Sequence, residues 1–76
     1  MEKRNIIGVN LKYWRKKKEF SQEQLAAKLH LLGLNIDRSA ISRIESLSRE
    51  VYDYEIICFC IALKISIYDL YICTMD

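Results

Sequence analysis

Five short α-helices and no strand are what this sequence predicts, on three observations. Apolar residues recur at spacings of three and four, not two. Three helix starts share one signature. A capping Ser21, Asp37 or Ser66 is bracketed by the apolar pairs Phe20 and Leu25, Ile36 and Ile41, Ile65 and Leu70. In that arrangement the cap accepts a free backbone N–H, and the flanking pair staples the entering chain to the first turn. Finally, there is no Pro and there are only two Gly, a composition that favours helices with short connections.

The chain has 76 residues, of which 51% are hydrophobic. That length accommodates one domain, covering 1–76, and buries about 60–65% of the surface the unfolded chain exposes. The first helix is expected from about Ile6 to Lys18, with Ile7, Leu11 and Trp14 on one face. Ser21 opens the second, and Gln24 completes a capping box. Leu25, Ala26 and Leu29 supply its buried stripe; Ala26 is small enough for another helix to cross closely, and Gly33 stops it. Asp37 caps a short third helix, about Arg38 to Ser46. Its Ala40, Ile41 and Ile44 face inward and leave Arg38, Ser39, Ser42 and Arg43 outward. A polar connection, Ser46–Glu50, leads to a fourth helix over Asp53–Leu63. There Ile56, Cys60 and Leu63 form one stripe, with Ile57 and Ile61 beside it. So broad an apolar face places this helix at the centre of the core. Ser66 caps the last helix, Ile67 to about Ile72.

Charge is unevenly placed. Residues 1–38 hold nine Lys or Arg against four acids, and residues 39–76 hold three against six. The densest basic stretch is Lys12, Arg15, Lys16, Lys17 and Lys18. One positive face on a nearly neutral body suits a polyanion. Cys58, Cys60 and Cys73 are odd in number and sit in apolar runs, which fits buried thiols in a reducing cytoplasm rather than a disulfide framework. Residues two apart on a helix point ~200° from one another, so Cys58 and Cys60 do not share a zinc; no metal or other cofactor is expected. His30 has no evident nucleophile beside it and no Gly-rich phosphate loop exists, so enzyme chemistry is not expected. The longest apolar run, Ile56–Leu63, is eight residues. A membrane span needs roughly 20. No signal peptide is read at Met1–Asn10.

The stretch "SQEQLAAKLHLLGLNIDRSAISRIE", Ser21 to Glu45, resembles the lambda-repressor-like, or XRE-type, helix-turn-helix domains of bacterial and phage regulators. The family pattern is Ser-Gln-Glu-x-Leu-Ala, a turn, then Ile-Ser-Arg-Ile-Glu. Upstream, "LKYWRKKKEF" is similar to the family's first helix, and "CFCIALKISIYDLY" to its last two. The resemblance spans about Ile6 to Tyr71, with the helix-turn-helix at about 21–46. It implies a compact five-helix domain that binds double-stranded DNA and regulates transcription. A helix about 10–12 Å across fits the major groove. On this reading Arg38 and Arg43 pair with guanine O6 and N7, while Ser39 and Ser42 donate or accept less specifically. The family further implies that Ser21 and Gln22 contact backbone phosphate at the start of the second helix. Lys17, Lys18, Ser46, Ser48 and Arg49 flank the same surface and are expected to touch phosphate too. Arg15 and Glu45 stand where the family often pairs two residues; an exposed pair would contribute roughly 0–1 kcal/mol.

This chain departs from the pattern twice. From Gly33 to Ile41 it has two residues more than the common turn, within "LNID"; the alternatives are a displaced reading helix or one that begins differently, and either changes which side chain meets which base. Leu47 stands where the family usually has Gly. A left-handed backbone there costs Leu ~1 kcal/mol or more relative to Gly; the alternatives are a helix that runs on by a turn, or a buried Leu47. The expected function is a repressor acting as a homodimer through its C-terminal helices. The alternative is a protein-interaction module, such as an antitoxin that holds a toxin, using Tyr52, Tyr54, Tyr68, Tyr71 and Ile72.

Overall fold

In the computed structural model, which describes residues 3–72, the elements run α1 (Gly8–Lys17), α2 (Gln22–Leu31), α3 (Arg38–Glu45), α4 (Asp53–Leu63) and α5 (Ile67–Tyr71). No strand occurs among the described residues. α2 packs against α3 and α4, and α1 packs against α3, α4 and α5. The core they enclose includes Ile7, Leu11, Leu25, Leu29, Ile41, Ile44, Phe59, Leu63 and Leu70, each essentially inaccessible.

The helix starts form as their side chains dictate. Ser21 Oγ accepts from Gln24 N at 3.0 Å, and Gln24 Oε1 accepts from Ser21 N at 2.8 Å. Asp37 accepts from Ala40 N at 2.9 Å, and Ser66 and Asp69 form a second reciprocal box. α1 begins at Gly8, two residues after the expected Ile6. Its opening N–H groups belong to Asn5, whose Oδ1 accepts from Ile7 N and Gly8 N at 3.1 and 2.7 Å.

The helix ends share one geometry. After α1, α2, α3 and α4 the chain turns left-handed at Glu19 (φ +64°), Gly33 (φ +87°), Leu47 (φ +67°) and Lys64 (φ +56°). Each turn carries the two reversed hydrogen bonds of a Schellman motif, as from Ser48 N to Arg43 O at 2.9 Å and Leu47 N to Ile44 O at 3.0 Å. Only one of the four is Gly. Leu47 therefore adopts the strained backbone rather than extending α3, and it is half-buried beside Gly8.

One expectation about α4 needs correction. Ile57 and Ile61 are 53% and 56% exposed, so α4 buries a narrower face than its apolar sequence implied. The helix meets neighbours on one side only, and Phe59 fills that side, fully buried. The longer turn is packed onto the core. Leu34 and Ile36 point inward about an exposed Asn35, and His30 Nε2 lies 3.1 Å from Ile36 O. α3 still starts at Arg38, directly after its Asp37 cap. Cys73 lies outside the described residues; Cys60 is buried and Cys58 half-buried, both as free thiols.

Candidate nucleic-acid interface

The outward face of α3 follows from its periodicity. Ala40, Ile41 and Ile44 are buried, which leaves Arg38, Ser39, Ser42 and Arg43 exposed along the opposite side. Arg43 Nη1 donates to Ser39 Oγ at 3.3 Å, an i, i+4 contact that lays its guanidinium along the helix. Arg38 has no side-chain partner among the described residues.

What holds this helix is a buried polar network. Arg15 donates to both carboxylate oxygens of Glu45, Nε to Oε2 at 2.7 Å and Nη2 to Oε1 at 3.1 Å. Its Nη1 donates to Phe20 O at 2.8 Å, and Gln22 Nε2 donates to Glu45 Oε1 at 3.0 Å. The two charged side chains are 9% and 4% exposed. The exposed pair expected from the sequence is thus a buried, bidentate one. In that setting each member is costly to leave alone, so the geometry is tightly specified. The network joins the end of α1, the turn before α2, the first residue of α2 and the last residue of α3.

A second clamp, from a residue absent from the sequence-based candidates, grips the exit of α3. Asn5 Nδ2 donates to Ile44 O at 3.0 Å and to Arg49 O at 2.9 Å, while Arg4 N donates to Leu47 O at 3.0 Å. An Asn ahead of an apolar-periodic run is a cap signal, so its helix-starting role was readable. Its reach to α3 was not, because that is long-range. Gly8 matters for the same contact. A Cβ there would overlap the Ile44 carbonyl oxygen and lie 2.8 Å from Leu47 Cδ2.

The expected phosphate contacts gather around this frame. Ser21 is exposed at the start of α2, where no acceptor among the described residues meets the Gln22 and Glu23 N–H groups. Gln22 is half-buried and already bonded to Glu45. Lys17 and Lys18 are exposed at the end of α1, with Lys17 Nζ 5.8 Å from the centre of the Tyr13 ring. Ser46 and Ser48 are exposed, but both hydroxyls donate to Arg43 O, at 3.1 and 3.2 Å, and so close the end of α3. Arg49 is engaged as well. It forms a bidentate pair with the buried Glu55 at 3.1 and 3.0 Å, which raises the guanidinium's pKa. Among the described residues no cluster of His, Cys, Asp and Glu is arranged to hold a metal, and no helix is long and apolar enough to cross a membrane.

Comparison with known proteins agrees with this arrangement. A family model described as helix-turn-helix matches residues 11–51. Among solved structures, the chain is similar to the crystal structure of a hypothetical transcription factor, NHTF, from Neisseria. The TM-score is 0.77 at 25% identity, covering 93% of this chain and 76% of that one. No curated protein matches the sequence. The family match spans more than half the chain, including α2, the turn and α3, and the five-helix likeness extends it to nearly all of the described residues. The chain belongs to the lambda-repressor-like (XRE-type) helix-turn-helix family, whose members are DNA-binding regulators rather than enzymes.

Proposed function

We propose that the protein is a sequence-specific, double-stranded-DNA-binding transcriptional repressor of the cytoplasm that sets α3 in the major groove. The observation that carries this reading is the exposed strip Arg38, Ser39, Ser42 and Arg43 on a helix locked from behind by Arg15, Glu45 and Gln22. Base reading requires donors and acceptors projecting from one rigidly held helix. Arg38 and Arg43 reach guanine edges, each such pair worth roughly 1–3 kcal/mol of discrimination. Ser39 and Ser42 make the less specific base contacts. Ser21 with the free N–H groups of α2, Gln22, Lys17, Lys18, Ser46, Ser48 and Arg49 border the phosphates and set register. Arg49 and the two serines act there mainly by shaping the loop, since their polar groups already have partners in the protein. The protein works as a two-fold dimer through its C-terminal helices, on an inverted repeat with half-sites about 34 Å apart. A dimer so bound would cover promoter DNA and exclude polymerase.

The test is selection of a site from random duplex DNA, followed by titration of two variants. Arg38→Ala is expected to lose ~1–3 kcal/mol at one base position and relax preference there. Lys17→Ala is expected to weaken all sequences alike and reduce the salt slope by about 1. If neither changes DNA affinity, the exposed face of α3 serves another partner, and a protein pull-down without DNA addresses the interaction-module alternative.

A further inference from the structure

Outside the α3 face, the largest unexplained feature is apolar. Tyr54, Ile57 and Ile61 are 58%, 53% and 56% exposed. Their spacing of three and four aligns them on one side of α4. Leu31 and Leu32, at the end of α2, are also exposed. Leu32, Leu31, Ile61 and Ala62 share a shallow groove flanked by Lys28 and Lys64. Of these residues only Ala62 packs against the buried core, and none belongs to α3.

The charges around the stripe identify its occupant. Asp53 is the first residue of α4 and Lys64 immediately follows the last. They are eleven residues apart, about three helical turns, so they lie on the same edge of the stripe. Two helices packed antiparallel about a two-fold axis bring like edges together with opposite ends matched. Asp53 of each copy then meets Lys64 of the other, and Ile57 meets the partner's Ile61. In a parallel two-fold pair like edges fall on opposite sides, so Asp53 and Lys64 would not meet each other across the seam. The surface is therefore self-complementary in the antiparallel orientation, as an isologous interface requires.

We infer that the Tyr54–Ile57–Ile61 face of α4, extended by Leu31 and Leu32, docks a second copy of this chain with the two α4 helices antiparallel. The inference deepens the dimer reading given above by fixing its surface and direction. The exposed side chains of α5, Ile67, Tyr68 and Tyr71, form the competing surface. They are backed by no comparable charge pattern, because Asp69, the one charged residue of α5, is committed to capping Ser66.

Sedimentation of the full chain without DNA, with reductant present to exclude a Cys58 disulfide, provides the test. A reversible dimer is expected at micromolar concentration. Ile57→Asp and Ile61→Asp should each raise its dissociation constant by about tenfold or more, whereas Tyr71→Ala should leave it unchanged. Asp53→Lys and Lys64→Asp should each weaken it, and the double exchange should restore it. All these positions are exposed, and far-UV circular dichroism checks that each variant is folded. A strict monomer, a dimer indifferent to Ile57→Asp, or a charge exchange without rescue overturns the inference. A monomer whose DNA site preference still depends on Arg38 would leave the regulator reading standing while removing this one.

Discussion

Replacing Gly8 with alanine sets two effects of opposite sign against each other. Helix propensity favours alanine by about 0.5–1 kcal/mol in a helix. Packing opposes it. The new methyl would overlap the Ile44 carbonyl oxygen and stand 2.8 Å from Leu47 Cδ2 and 3.0 Å from Asn5 Oδ1. Carbon atoms are comfortable at about 3.5–4.0 Å, so α1 and the end of α3 must separate by roughly an ångström. The nearest obstacle is backbone and cannot rotate away, which places the strain toward the upper part of the ~1–3 kcal/mol range for overpacking. Net destabilisation of about 1–2 kcal/mol is expected, a sizeable share of the ~4–11 kcal/mol typical for this length. Urea unfolding should show a lower midpoint at unchanged slope. DNA titration of the folded variant should show weaker specific binding, because the displaced element is α3, the proposed reading helix. A Gly8→Ala protein that is more stable than the parent would refute the close approach and leave propensity as the whole account.

Glu45→Ala strands Arg15 in the interior; a loss of ~3–5 kcal/mol is expected by chemical denaturation, and a loss under 1 kcal/mol would mean the network is hydrated and dispensable. Glu19→Gly relieves a left-handed backbone at an exposed helix end, so the melting temperature should rise by roughly 4–8 °C for each kcal/mol gained, with about 1 kcal/mol expected. Burial, with the nearby Asp69, pushes the Cys60 thiol pKa up. The shift disfavours the reactive thiolate in the folded protein. Alkylation followed peptide by peptide should find Cys60 slow in the folded protein and fast in urea; equal rates in both would contradict its burial.

The starts of the helices were far more legible than their ends. Ser21, Asp37 and Ser66 announce themselves because an N-cap acts through its own side chain on N–H groups two or three residues away. Glu19 and Lys64 give no such notice, and Leu47 was noticed only because the family usually has Gly there. Their left-handed geometry closes reversed backbone hydrogen bonds that any residue type can make, and a residue-type rule that looks for Gly finds only Gly33. In α4 the difficulty was different. A helix apolar all round offers no phase, so Ile57 and Ile61 could not be distinguished from the buried Phe59 without knowing where its neighbours lie. The α3 strip, by contrast, was readable, since alternating Ile and polar residues at helical spacing leave one arrangement. The frame behind it was read only in part. The Arg15 and Glu45 pairing was anticipated by family likeness, but its burial, and Asn5, depend on contacts spanning 30 and 39 residues.

The Asn5 clamp has a kinetic corollary. Most of a small helical protein is assembled from neighbours in sequence, and such contacts form early and reopen rarely. The seat of α3 includes bonds from Arg4 and Asn5 to residues more than 38 positions away. Transient detachment of Arg4 and Asn5 would release the last turn of α3 while Ile7, Leu25, Phe59 and Leu63 stayed packed. Amide exchange at Leu47 and Ser48 should then outpace exchange in α2 and α4, giving local breathing at the edge of the DNA-facing surface well below the global unfolding free energy.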